Sequence, residues 1–63
     1  MKNDLAGRRA ARDWTQADLA AALGVSRQTV ISIERGRFDP SLPLAFLIAQ
    51  TFDCAIEDIF TPD

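Results

Sequence analysis

The sequence has no histidine and no tyrosine, a single cysteine, and only three residues each of glycine and proline. Without histidine it lacks the commonest general base and the usual nitrogen ligand of zinc. Cys54 has no second thiol for an intramolecular disulfide, so a stapled or zinc-held miniature fold is excluded. A lone thiol suits a reducing cytoplasm and reads as an inert side chain. No serine is paired with a base, and the adjacent acids Glu57 and Asp58 point to different sides of a helix. No enzyme activity, metal site or cofactor is therefore expected. No apolar run approaches the roughly 18 residues that suggest a membrane span, and Met1-Lys-Asn-Asp-Leu5 lacks the hydrophobic stretch of a signal peptide. The reading is a cytoplasmic chain with no membrane partner.

Basic residues are missing from one half. All seven (Lys2, Arg8, Arg9, Arg12, Arg27, Arg35, Arg37) lie in residues 1–37. Four acids share that stretch, giving +3, whereas residues 38–63 carry five acids and no base, giving −5. The overall charge of −2 and pI near 4.8 argue mildly against a nucleic-acid partner. The asymmetry argues the other way: one face suits an anion and another is turned from it. At 63 residues the chain is one domain, 1–63, that buries only about 60% of its unfolded surface. Dimerisation is the remaining way to bury more.

What is present is helical signal, and no strand-like alternation is visible. Residues 1–12 read as an amphipathic helix with Leu5, Arg9 and Arg12 on one side. Thr15 can cap a second helix over 16–23, with Asp18 closing a capping box and Trp14 placed as a hydrophobic staple. Leu19, Ala20 and Leu23 form its apolar face. Gly24 ends it in a left-handed conformation that glycine takes without strain. Ser26 caps a third helix over 26–35, in which Val30 and Ile33 face inward and Arg27, Gln28 and Ser32 outward. Ser41 and Pro43 open a fourth over 42–52, and a fifth runs 56–60 with Glu57 and Asp58 near its N-terminal dipole. The predicted fold is all-α, a compact bundle of about five short helices. Its centre, helix, glycine turn and helix, is a helix-turn-helix spanning about 15–35, which points to the major groove of double-stranded DNA.

Four segments then carry a family likeness. Thr15-Gln-Ala-Asp-Leu-Ala, Leu23-Gly-Val-Ser-Arg-Gln-Thr, Ile33-Glu-Arg-Gly-Arg and Pro40-Ser-Leu-Pro-Leu-Ala resemble the phage repressor/Cro-type (Xre-like) helix-turn-helix regulators, in the right order from about Leu5 to Phe60. The likeness is to the short, stand-alone members, and it implies a lambda-repressor-like domain. Within it Gln16, Ser26, Arg35, Arg37 and Arg8 are expected at phosphates, Ser26 serving either there or, the favoured role, as a cap. Arg27, Gln28, Thr29 and Ser32 are expected at base edges. Arginine can bridge guanine O6 and N7, and glutamine adenine N6 and N7, each worth roughly 1–3 kcal/mol of discrimination. The resemblance makes Arg9 and Glu34 a structural ion pair between the first and third helices. Ile31 stands beside the reading stripe and either packs against Phe38 or the fourth helix, or meets a thymine methyl.

Phe46 and Leu47 lie off the Leu44/Ile48/Phe52 stripe, so the fourth helix is apolar over more of its circumference than a small core requires. Phe46, Leu47, Ile56, Ile59 and Phe60 are the candidates for a homodimer interface, the alternative being that they complete the monomer core. The implied function is a dimeric repressor reading a near-palindromic operator. A different class, the antitoxin of a toxin–antitoxin pair, would add a protein partner (a toxin or anti-repressor), but no C-terminal tail suited to wrapping a toxin is evident. RNA binding would call for exposed stacking aromatics, which the pattern does not supply.

Overall fold

The computed structural model describes residues 1–62. Five helices, α1 (Leu5–Ala10), α2 (Gln16–Leu23), α3 (Arg27–Glu34), α4 (Leu42–Thr51) and α5 (Ile56–Ile59), are closed by two short strands, β1 (Lys2–Asn3) and β2 (Phe60–Thr61). The caps form as the side chains require. Thr15 Oγ1 accepts from Asp18 N at 3.0 Å while Asp18 Oδ2 accepts from Thr15 N at 2.9 Å, a reciprocal capping box. Ser26 Oγ accepts from Thr29 N, and Ser41 Oγ from Leu44 N. Each cap satisfies an N–H that the first turn of a helix leaves without an internal acceptor.

The first four helices end alike. Beyond each, one amide reaches back five residues: Trp14 to Arg9, Val25 to Ala20, Arg37 to Ser32 and Cys54 to Ala49, at 3.0–3.2 Å. The residue before each of these amides is left-handed: Gly24 (φ 70°), Gly36 (φ 73°), Asp13 (φ 56°) and Asp53 (φ 52°). This is the Schellman closure, with aspartate filling the glycine slot twice.

The N-terminal twelve residues correct the sequence reading. Helix α1 begins only at Leu5, and Lys2–Asn3 pairs antiparallel with Phe60–Thr61, in register Lys2↔Thr61 and Asn3↔Phe60. The expected fifth helix likewise stops at Ile59, because Phe60 is in the ladder. Asn3 gives the physical reason. Its Oδ1 accepts from Leu5 N at 3.1 Å and its Nδ2 donates to Ile33 O at 2.8 Å, local and long-range bonds that an early helix would forfeit. At the other end of α1, Arg12 lies beyond the helix rather than on its apolar side. Its guanidinium carbon sits 5.2 Å from the Trp14 ring centre and 4.9 Å from that of Phe52.

The core joins every helix. Leu5, Leu19, Val30, Ile33 and Ile48 are fully buried, with Leu23, Phe52, Ile59 and Phe60 around them, and Trp14, Val25, Leu44, Cys54 and Ile56 pack on its margin. No described helix is long and apolar enough to cross a membrane.

Candidate nucleic-acid interface

Helix α3 is amphipathic in a way that decides its role. Val30 and Ile33 anchor it at zero exposure, and the opposite side carries the exposed Arg27 and Gln28. The anchored side fixes the rotation of the helix, so its first turn is presented outward rigidly. Gln28 Nε2 lies 3.5 Å from Ser32 Oγ, one turn on, a long bond that leans the amide along the helix. Ser32 and Thr29 are half-buried. The Thr29 hydroxyl is 2.9 Å from Ser26 Oγ, so Ser26 is engaged by both the backbone and the side chain of Thr29. Capping accounts for what Ser26 does here. Ile31 is half-buried, and Phe38, its expected cover, remains 46% exposed.

Two clefts flank α3. Arg9, Thr15, Gln16, Ala17 and Arg27 line one, at its N-terminal end. Met1, Lys2, Asn3, Glu34, Arg35 and Gly36 line the other, at its C-terminal end. Gln16 and Arg27 are therefore brought together, as are Arg35 and Lys2, with the exposed Arg37 just beyond Gly36. Arg8, half-buried on α1, lines neither cleft. The sequence reading missed Lys2 as a cationic neighbour of Arg35, because only the β1–β2 pairing carries it there.

Between the clefts sits a polar network. Arg9 Nε donates to Glu34 Oε2 at 2.8 Å and Nη2 to Oε1 at 3.3 Å, while Nη1 donates to Trp14 O at 2.8 Å. The Arg9 and Glu34 side chains are 19% and 7% exposed. The hydrogen bond to Glu34 pushes the guanidinium's proton affinity further up, burial opposes it, and the carboxylate's charge adds to the rise. Every nitrogen of the Arg9 fork is thus engaged in holding α1 to α3 and to the corner before α2. Gln16 Nε2 joins by donating to Glu34 Oε1 at 3.2 Å.

The far side of the molecule revises the interface candidates. Phe46 and Leu47 are 51% and 39% exposed, and Leu42, one turn before Phe46, is 65% exposed. Ile59 and Phe60, by contrast, are 2% and 5% exposed, so both are core residues of the single chain rather than members of an outer face. Ile59 brings α5 into the same buried cluster as Leu5 and Ile48, and Phe60 is held inward by its pairing with Asn3. Ile56 is half-buried and lines an apolar groove with Pro40, Leu42, Ala45 and the edge of Phe60.

Comparison with known proteins agrees with this geometry. A helix-turn-helix family model matches residues 5–59. An uncharacterized HTH-type transcriptional regulator of Methanocaldococcus jannaschii is 62% identical over 60 residues, covering 95% of this chain and 91% of that protein. The HTH-type regulator YgzD of Bacillus subtilis is 43% identical over 60 residues, with the same 95% and 91% coverage. Among solved structures, the restriction-modification controller protein C.AhdI of Aeromonas hydrophila superimposes with a TM-score of 0.78 at 30% identity, over 89% of this chain and 85% of that one. The hypothetical transcription factor NHTF of Neisseria gives 0.76 at 26% identity, over 84% and 60%. With the anchored α3, the outward Arg27 and Gln28 and these relatives together, the chain belongs to the Xre/Cro-like helix-turn-helix family of DNA-binding transcriptional regulators.

Proposed function

We propose that the protein is a dimeric repressor that reads a near-palindromic operator through the major groove. The observation that carries the reading is the exposed first turn of α3, opposite the buried Val30 and Ile33. Arg27 and Gln28 contact base edges, with Ser32 and the methyl of Thr29 completing the read surface. Gln16, Arg35 and Arg37 contact phosphates, Ser26 primarily caps α3, and Arg8 contributes at most long-range charge. Lys2 joins Arg35 at the C-terminal end of the helix. One monomer reads too few base pairs to choose a site, and two recognition helices about 34 Å apart would enter successive major grooves. The dimer forms through Leu42, Phe46 and Leu47 on α4, with Ile56 at the margin, because three of the large apolar side chains left in water share this one helix.

The test is selection from randomised duplex DNA, run beside an Arg27→Ala/Gln28→Ala double variant. A two-fold symmetric site for the wild type, lost in the variant, supports the reading. With about six to eight phosphate contacts per dimer, log affinity should fall with log salt at a slope near −5 to −7. Absence of any enriched sequence, or affinity indifferent to salt, refutes it.

A further inference from the structure

The geometry points to Glu34 as a positioning residue for the Gln16 amide, an inference that rests on Gln16 being a phosphate contact. The Arg9–Glu34 pair is complete without Gln16, since the arginine fork already engages both carboxylate oxygens. Gln16 nevertheless adds a third donor, Nε2 to Oε1 at 3.2 Å, and its side chain is half-buried at the rim of the cleft that Arg27 also lines.

The chemistry of the two ends gives this bond a direction. A carboxylate accepts and cannot donate, whereas a carboxamide has a donating and an accepting side. Glu34 therefore fixes Gln16 with its NH2 turned to Oε1; the reverse orientation would set two oxygens against each other. The NH2 group has two hydrogens, and Glu34 uses one. The second is left for an acceptor in the cleft, and a phosphate oxygen is an acceptor only. Glu34 thus selects the face of Gln16 that DNA needs, in advance of binding. A carboxylate close to DNA would ordinarily repel it. Here its charge is matched by Arg9 and its side chain is only 7% exposed, so the network offers a donor while its negative charge is covered.

A cycle of four proteins tests this: wild type, Gln16→Ala, Glu34→Gln and the double variant, each titrated with a duplex carrying the selected site. Glutamine at 34 keeps the shape but can donate as well as accept, so the Gln16 amide is free to turn over. Glu34→Gln should weaken binding about 5- to 10-fold with Gln16 present, a loss of the size expected for one ordinary hydrogen bond. In the Gln16→Ala background the same change should cost less than about 2-fold. Equal losses in both backgrounds would mean that Glu34 acts through the fold alone, and would overturn the inference while leaving DNA binding intact. Failure of the wild type to bind any duplex would overturn the proposed function itself, a separate result. Should Glu34→Gln not fold, the wild-type protein answers by NMR. The Gln16 amide proton that faces Glu34 should already be shifted from the solvated-glutamine position before DNA is added, and the other should move on binding. Shifts matching a freely solvated glutamine would refute the bond.

Discussion

Truncating Arg9 is the most demanding perturbation of this fold. Arg9→Ala removes three hydrogen bonds at once, two to Glu34 and one to the Trp14 carbonyl. It also leaves the Glu34 carboxylate, 7% exposed, with the Gln16 amide as its remaining donor. Breaking one side of a buried pair costs about 3–5 kcal/mol, and the 19% exposure of Arg9 sets the expectation at the lower end, about 3 kcal/mol. Unfolding entropy near 2.1 cal/mol/K per residue gives about 0.13 kcal/mol/K for a 63-residue chain, so Tm should fall by roughly 20 °C. A domain this size has only about 3–9 kcal/mol in total, so the variant should lose between about a third and all of its stability. The companion is Arg9→Met with Glu34→Leu, which removes both charges and keeps volume. It should recover most of the loss, since replacing a whole buried pair by apolar groups is often neutral or better. Thermal melts followed by circular dichroism, at one fixed protein concentration, make the comparison. A drop below about 5 °C for Arg9→Ala, or a double variant no better than the single, would refute the reasoning.

Three further outcomes follow from other contacts. Asn3→Ala forfeits the bonds to Ile33 O and from Leu5 N and should cost about 1–2 kcal/mol in urea titration. Asn3→Asp should be worse, because it sets an anion against the C-terminal carbonyls of α3. Gly36→Ala should destabilise more than Gly24→Ala: both are left-handed, but a Cβ at 36 meets the Met1 carbonyl oxygen at 3.1 Å and one at 24 meets nothing within 4 Å. Paired melts decide the order, with Gly24→Ala expected near the bare left-handed penalty of about 1–2 kcal/mol. Phe46→Glu should convert a dimer to monomers in sedimentation velocity and weaken operator binding; a fully dimeric Phe46→Glu would move the interface off α4.

The parts of this molecule that the sequence makes legible are those decided within five or six residues. Thr15 with Asp18, Ser26 before Thr29 and Ser41 before Leu44 each find their partner inside the first turn, so residue identity alone announces them. The same locality makes the outward turn of Arg27 and Gln28 readable. Strands β1 and β2 are two residues each and pair across almost the whole chain, which leaves no alternation to detect and hides Lys2 beside Arg35. Ile59 and Phe60 escape a local reading for a related reason. Periodicity marks a side chain as apolar, but only the entry of α5 into the shared core decides whether it faces core or partner. The Gln16–Glu34 bond spans 18 residues, and no local pattern encodes it.

The corner at Trp14 has a practical consequence. The chain has one tryptophan and no tyrosine, so its ultraviolet emission comes essentially from a single indole. That ring lies 5.8 Å from Phe52, tilted by 52°, beneath the Arg12 guanidinium, and its own carbonyl receives Arg9. The protein therefore carries an optical reporter at the joint where α1, α2 and the end of α4 meet. Nucleic acid contributes almost no fluorescence of its own. Emission colour and anisotropy can thus follow the opening of that joint, and test the proposed pairing of two chains and loading of an operator, in one unlabelled sample.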